Sequence, residues 1–420
     1  MKVILPYLNF GLILLMTFLL AKKWNVLKNK LYWSSFFCHL IGGLAVGLVY
    51  KYYYPNHDTW VYFENAVRVA NIGATNLSDY ITILFDFSEI QNPIIESEDF
   101  RSVIFIKILS VFCLMGGNSY WICTAYFSLL AFISSWFLFK IVIDVFPDSQ
   151  NASALAFLFF PSIVFWSSGV LKEALALPAL YFSIGIFLMF FYGQRPEKAI
   201  WILLVFSCAF LWILKYYWAA VFFITTISAI ITKKGSERLN GIKGNLTLTF
   251  FSCFFLIGIA ASYLHPNFYL ERFLEVIVSN HNEFVSISDD ENLIHYINLK
   301  PTIISVLANS PWAVLSGVFR PIIGEGRGLF GLIASIENLF VLFLFIGSLL
   351  RLKDAKLKPS LLFWAAISYC VVLSVFLALS TPNLGTLSRY RVGFSPVLIF
   401  VLAYQNPLFE LVLRKFGFKK

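Results

Sequence analysis

Long apolar runs alternate with short polar segments along the whole chain of 420 residues. A transmembrane α-helix needs about 20 consecutive, mostly apolar residues, because the hydrocarbon core of a bilayer is about 30 Å thick. Eleven of the runs approach this length, and each predicts a membrane-spanning helix. These runs are 3–21, 32–50, 120–143, 152–168, 174–192, 199–214, 217–232, 246–264, 330–350, 361–380 and 392–405.

Two further apolar runs, 102–115 and 302–319, are interpreted from the distribution of charge. Short loops rich in Lys and Arg stay on the cytoplasmic side of a membrane. If 102–115 crossed the membrane, two of the basic clusters would fall outside. We therefore expect 102–115 to lie flat in the outer interface and 302–319 to be interfacial or re-entrant. The basic clusters are 22–31, 233–245, 351–358 and 406–420.

This pattern predicts an all-α polytopic membrane protein of about 11 transmembrane helices, with its N-terminus outside and its C-terminus in the cytoplasm. Interfacial helices are expected in the first and fourth extracytoplasmic loops. The predicted division is an extra helix with a basic loop at 1–31, a catalytic transmembrane domain at 32–405 and a basic tail at 406–420.

Composition agrees with a membrane location, since 59% of the residues are hydrophobic and only 13% are charged. Soluble domains contain about 25% charged residues. The net charge of +9 resides in the short cytoplasmic clusters, so it does not indicate a nucleic-acid partner. All six cysteines lie in apolar segments and are expected to be small buried side chains.

Asp58 is the first candidate for chemistry, because it follows the second apolar run directly and opens the first large polar loop. A carboxylate at a membrane surface suits a general base or a metal ligand. The aromatic residues Trp60, Tyr62 and Phe63 are expected to limit water and raise its pKa. The alternative is that Asp58 only caps the helix that follows it.

A second candidate lies at Lys172 and Glu173, where one apolar run ends at Ser168-Gly169 and the next begins. Charged residues at membrane depth are costly and mark functional sites by default. The alternative is a Lys-Glu pair that neutralises itself at the surface.

Four further basic residues are expected on the extracytoplasmic side, which the positive-inside bias disfavours. Arg suits bidentate binding of phosphate. Lys215 has a simpler alternative as an interfacial side chain in an aromatic belt. The glycine-rich stretch 324–328 lacks the spacing of a nucleotide-binding loop and is interpreted as a flexible turn. The candidates for substrate phosphate or sugar are Lys172, Lys215, Arg320, Arg389 and Arg391, with Tyr62 beside them.

The order of these motifs resembles the GT-C superfamily of polytopic glycosyltransferases, in its protein O-mannosyltransferase and aminoarabinose-transferase branch. The motifs are a first-loop acid at Asp58 with Tyr62 and Ala66, the turn 116–120, an acid at Glu173 and a closing Arg389-Tyr390-Arg391. The resemblance covers roughly 32–405. It implies that the protein is located in the bacterial inner (cell) membrane. By that resemblance Asp58 and Glu173 are the catalytic acids, and Arg389 contacts the lipid phosphate.

The resemblance implies transfer of a sugar from a polyprenyl-phosphate-linked donor to a lipid, glycan or protein acceptor on the outer face. A divalent metal ion at Asp58 and Glu173 is left open as a cofactor. Three other classes also remain: a polysaccharide polymerase, a lipid-linked-oligosaccharide flippase or transporter, and a non-catalytic scaffold. A transporter would favour charges at mid-helix depth in two matching halves, and no internal repeat is visible in the chain.

Overall fold

The computed structural model describes residues 4–54, 58–86, 95–96, 99–194, 196–238, 245–264, 269–326, 328–352 and 360–417. Within these ranges the regular structure is helical, and the only β feature is one antiparallel bridge between Leu293 and Asn383. By length and composition, the described residues contain eight helices that can cross a membrane, or up to ten if each of two bent pairs is one span. The prediction of an all-α chain with many apolar helices is confirmed for this part of the chain.

The helices of the first half begin with two long apolar ones, followed by three shorter ones before the next long helix. They are α1 Leu5–Lys23, α2 Lys30–Tyr52, α3 Asp58–Thr75, α4 Leu77–Phe85, α5 Phe100–Met115, α6 Tyr120–Val145, α7 Gln150–Ser153, α8 Pro161–Ser168 and α9 Glu173–Phe191, with a π-helical turn at Ala154–Phe159.

The second half begins with a run of 41 residues that is kinked at Lys215, and it ends with short helices. These helices are α10 Lys198–Arg238, α11 Leu246–Leu264, α12 Leu270–Ile287, α13 Ile303–Phe319, α14 Gly328–Leu352, α15 Leu361–Ser380, α16 Leu384–Tyr390, α17 Ser395–Ala403 and α18 Pro407–Lys415. Single 3₁₀ turns lie at Asp290–Asn292 and Arg391–Gly393.

The chain folds into two compact units. The first unit contains 1–141, 157–186 and 196–216, and the second contains 142–156, 187–195 and 217–420.

In the first unit, α2 lies against its neighbours through a glycine face. A Cβ atom added at Gly43 would lie 2.3 Å from Ser128 Oγ and 2.5 Å from the Ser168 carbonyl oxygen, so only glycine permits this approach. At the start of α3, the Trp60 ring stacks on Tyr120 at 4.0 Å between centroids. The second half of α2 therefore lies against the end of α8, and the start of α3 lies against the start of α6.

In the second unit, α13 packs along α15. A Cβ atom at Gly317 would lie 2.5 Å from Ser374 Oγ, and Phe319 contacts Phe345 of α14 edge to face at 5.5 Å. The opposite face of α13 leaves large apolar side chains exposed, among them Ile304, Leu307 and Leu315. An apolar exposed face suits contact with lipid.

The structure differs from the predicted spans at two places, and prolines explain both of them. The run 152–168 is broken before Pro161, with a bend of 41°. The run 392–405 begins with a 3₁₀ turn, and α17 is followed by a bend of 79° before Pro407. Proline has no N–H for the helix ladder and favours a first helical position. The predicted helices 199–214 and 217–232 lie on either side of a kink within α10, where the backbone of Lys215 is non-helical.

Candidate functional site

Lys172 and Glu173, adjacent in sequence, bind different partners in the first unit. The Lys172 ammonium donates to Asp99 Oδ2 at 3.0 Å and to Ser102 Oγ at 2.9 Å. The Glu173 carboxylate accepts a hydrogen bond from Lys215 Nζ at 2.7 Å. The alternative of a self-neutralising Lys172-Glu173 pair is therefore wrong, because each residue is neutralised from another segment.

Helix ends position the two acids of this site. Asp99 is the N-cap of α5, where its side chain accepts from the Arg101 backbone N–H at 3.4 Å and the Ser102 hydroxyl at 3.0 Å. Glu173 is the first residue of α9. Helix N-termini carry free N–H groups and a partial positive charge, so both carboxylates are stabilised there.

Lys215 reaches Glu173 from a break inside α10. Its backbone is non-helical, with φ −145° and ψ 64°, within an otherwise helical run of 41 residues. Lys215 is only 4% exposed and Glu173 is 0% exposed. The alternative of an interfacial, water-facing Lys215 is therefore wrong, because the ammonium is held in a buried ion pair. Two buried charges are tolerated only when they neutralise each other.

Asp99 remains a charged partner of Lys172 over a wide pH range. Partial burial by itself would raise the pKa of the Asp99 carboxyl. The positive charges of Lys172 and Arg101 outweigh this effect and hold the pKa well below its ordinary value. Arg101 Nε lies 3.0 Å from the second carboxylate oxygen. A lowered pKa means that the folded state prefers the ionised acid.

We expect the stabilisation provided by Asp99 to depend on pH with a definite sign. Because the folded-state pKa is lowered, the contribution is present above the unfolded pKa of about 3.9 and is lost as the pH falls below it. The difference in melting temperature between the native chain and Asp99→Asn should be largest near neutral pH and shrink in acid. A difference that grows on acidification would contradict this assignment.

Tyr62 joins the site through its ring, whose centroid lies 5.6 Å from Lys172 Nζ, within cation–π distance. The same ring meets Phe105 edge to face at 5.3 Å. Asp58, the first residue of α3, lies one helical turn before Tyr62, and residues four apart share a helix face. Asp58 is thus on the side of α3 that carries Tyr62.

The side chain of Asp58 is exposed. The expectation that Trp60, Tyr62 and Phe63 shield it from water is therefore wrong. The reason is that the Trp60 ring turns back onto the start of α6, where it stacks on Tyr120, and its Nε1 donates to the Gly47 carbonyl at 3.2 Å. The choice between base and helix cap stays a prediction.

The arginines predicted to bind phosphate lie in the second unit. Arg391 is buried and donates to Asn338 Oδ1 at 2.6 Å and to the Arg320 carbonyl at 3.3 Å. Asn338 in turn donates to the Pro321 carbonyl at 2.8 Å. Arg391 therefore anchors the loop after α13 to α14. Arg389 is also buried, with its guanidinium 6.0 Å from the Tyr390 ring centroid.

Arg320 forms an ion pair with Glu325 of the glycine-rich segment 324–328. Its Nε lies 3.0 Å and 2.9 Å from the two Glu325 carboxylate oxygens, and its guanidinium lies 5.5 Å from the Trp312 ring centroid. Glu325 also accepts from the Ile322 N–H at 3.1 Å. The stretch interpreted as a flexible turn thus carries a carboxylate with defined partners, while Arg327 lies outside the described residues.

Asp99 is the site residue that sequence reasoning missed. A signal for it was present, because Asp99 stands just before the apolar run 102–115, where an Asp N-cap is expected. That signal predicts a cap but gives no information on the pairing with Lys172, 73 residues away.

A metal role for Asp58 and Glu173 stays a prediction. Among the described residues, no three His, Cys, Asp or Glu side chains are grouped so that they can hold a metal ion. Glu173 is instead occupied by the Lys215 ammonium.

Comparison of the chain with protein-family models, with curated proteins and with solved structures finds no significant match.

Proposed function

We propose that the protein is a membrane glycosyltransferase of GT-C type, which moves a sugar from a polyprenyl-phosphate-linked donor to a lipid, glycan or protein acceptor. The observation that carries this proposal is the cluster of Asp99, Lys172, Glu173 and Lys215, which two ion pairs bring together from three separate segments of the first unit. The apolar helix surfaces suit the prenyl chain, and Lys172 of this cluster suits its phosphate.

Lys172 has the capacity to bind a phosphate oxygen. An ammonium carries three N–H donors. Two of these donors bind Asp99 and Ser102. The described residues contain no hydrogen-bond acceptor for the third donor. Asp99 and Ser102 hold the ammonium in place, so that the remaining donor is directed without further loss of side-chain freedom.

The transfer step balances with these residues. The acceptor hydroxyl oxygen forms a bond to the anomeric carbon of the sugar, and the bond from that carbon to the donor phosphate oxygen breaks. The hydroxyl proton passes to the Asp58 carboxylate as general base. The electron pair of the broken bond stays on the phosphate, whose negative charge Lys172 stabilises. Glu173 and Lys215 position the start of α9.

The proposed topology has eleven spans, with the N-terminus outside and the C-terminus in the cytoplasm of a bacterial cell. Eight single helices and the bent pair of α7 and α8 meet the criteria for a span, and the remaining span is the predicted run 392–405, which contains α17. One of the eight, α10, has 41 residues and would be about 60 Å long if straight, twice the thickness of the hydrocarbon core. The break at Lys215 supports two spans within it.

This topology predicts that α5 does not cross the membrane. Its 16 residues correspond to about 24 Å, less than the hydrocarbon thickness. Single cysteines at Glu96 and Asn118, before and after α5, should both react with an impermeant maleimide added from outside. Labelling of position 118 only from the cytoplasmic side would refute both the topology and the placement of the site.

The function itself is tested with the purified full chain and a panel of radiolabelled prenyl-phosphate sugars. Transfer of label from one donor to a lipid, glycan or peptide acceptor supports the proposal. Chain extension of a prenyl-linked glycan would instead identify a polymerase, and movement of intact donor across a vesicle membrane would identify a flippase.

We expect Lys172→Ala to weaken donor binding. Loss of one hydrogen bond to a charged group costs about 1.5–3 kcal/mol, or about 10- to 150-fold in the dissociation constant. Lys51→Ala is the matched control, because Lys51 is exposed at the end of α2 and lies 5.2 Å from the Trp60 ring. Equal donor affinity in Lys172→Ala and Lys51→Ala would remove Lys172 from the phosphate site.

A further inference from the structure

The last described helix, α18, turns sharply away from α17, which lies in the proposed span 392–405. The axes of α17 and α18 differ by 79°. A helix nearly perpendicular to a membrane-spanning neighbour runs along the membrane plane. The basic composition of the tail at 406–420 predicts only that this tail is cytoplasmic.

Asn406 fixes this bend. Its Oδ1 accepts from the backbone N–H groups of Leu408 and Phe409 at 3.0 Å each, so it is the N-cap of α18. Its Nδ2 donates to the carbonyls of Leu344 at 2.7 Å and Leu402 at 2.8 Å, which joins the cap to α14 and α17. Because all of these partners are backbone groups of helices, the orientation of α18 is determined by α14 and α17.

Arg351, near the end of α14, locates the membrane boundary at this level. Its guanidinium donates to the Tyr404 carbonyl at 2.7 Å and to Gln405 Oε1 at 3.0 Å, and it lies 5.4 Å from the Tyr404 ring centroid. Arg and Tyr side chains are enriched where a transmembrane helix leaves the hydrocarbon. The segment between α17 and α18 thus lies at the interface.

The surface of α18 combines exposed apolar and basic side chains. Phe409 is buried, while Leu411 is 55% exposed and Phe416, directly after the helix, is 76% exposed. Arg414 and Lys415 are exposed in the last turn. Exposed Leu and Phe side chains are unfavourable in water but favourable at the boundary of the acyl chains. Basic side chains at the same level contact the phosphate headgroups of the lipids.

We infer that α18 is an interfacial helix whose basic end binds the headgroups of anionic phospholipids. The charge of the segment is complementary to such a surface, since 407–420 contains four basic residues and one acid, Glu410. The acid lies 3.5 Å from Arg414 and neutralises only part of that charge. Anionic lipids attract basic segments beside a membrane span through the surface potential of the leaflet.

The test uses the full chain with its six native cysteines replaced and one new cysteine, Leu411→Cys, carrying a nitroxide. The chain is reconstituted in vesicles of phosphatidylcholine alone and of equal parts phosphatidylcholine and phosphatidylglycerol. Collisions of the label with oxygen report the membrane, and collisions with a water-soluble nickel complex report water. We expect the label to shift toward oxygen accessibility when phosphatidylglycerol is present.

Arg414→Gln/Lys415→Gln should abolish this shift, whereas Lys22→Gln/Lys23→Gln, which removes the same charge at the exposed end of α1, should preserve it. High salt should abolish the shift in the chain with unmodified bases, because exposed charges are screened. The high-salt measurement uses the chain with Arg414 and Lys415 unchanged, so its result does not depend on whether the double variant folds.

Nickel accessibility at position 411 that is high and equal in both kinds of vesicle would overturn the inference. A shift that survives both the double substitution and high salt would also overturn it.

Discussion

Lys215→Met is expected to destabilise the protein strongly, by about 3–5 kcal/mol, because it leaves the buried Glu173 carboxylate without the ammonium that neutralises it. The second substitution, Glu173→Gln, made in the same chain should recover much of this loss. The double variant has no buried charge to compensate, and replacing both members of a buried pair is far less costly than removing one. Thermal unfolding of the purified protein followed by circular dichroism measures both changes.

Lys172→Met is the matched control for this pair. Lys172 is ion-paired like Lys215, but its partner Asp99 is partly exposed and keeps Arg101 as a second cation. Removing Lys172 should therefore cost much less than removing Lys215, since water and Arg101 still stabilise the Asp99 carboxylate. Equal melting temperatures for the native chain and Lys215→Met would show that Glu173 does not need Lys215 for its burial.

Asp58→Asn is expected to lower turnover by about 10²- to 10⁴-fold, the usual contribution of a positioned acid–base group. The variant retains the shape of the side chain and its hydrogen-bonding capacity, but it cannot take a proton from the acceptor hydroxyl. Asn is as good as Asp at a helix N-terminus, so folding should be unchanged. Turnover and donor affinity with the prenyl-linked substrate separate the two effects, because only turnover should fall.

Asp79→Asn provides the control, since Asp79 lies in the same loop region, at the start of α4, where it accepts a hydrogen bond from Asn76 at 2.7 Å. This variant should have normal turnover. Near-normal turnover of Asp58→Asn as well would assign Asp58 to the helix start alone. In that case the proposed function would rest on Lys172 and its neighbours, and the base would have to be sought elsewhere.

Most members of the candidate site were predictable from the sequence, but their pairing was not. Lys172, Glu173 and Lys215 were selected because charges beside apolar runs are costly, and the structure brings these three together with Tyr62. Asp99 was missed, because a capping residue before a helix is common and gives no sign of a distant partner. Arg391 and Arg320 were expected to bind ligand, but the structure gives both internal partners.

The sequence by itself determined that this chain is helical and rich in apolar helices of bilayer length, because helix length and hydropathy are local properties. Only the tertiary structure decided that Lys172 pairs with Asp99 and Glu173 with Lys215. The physical reason is that a charge has several partners within reach of its side chain, and packing contacts such as those of Gly43 determine which of them it meets.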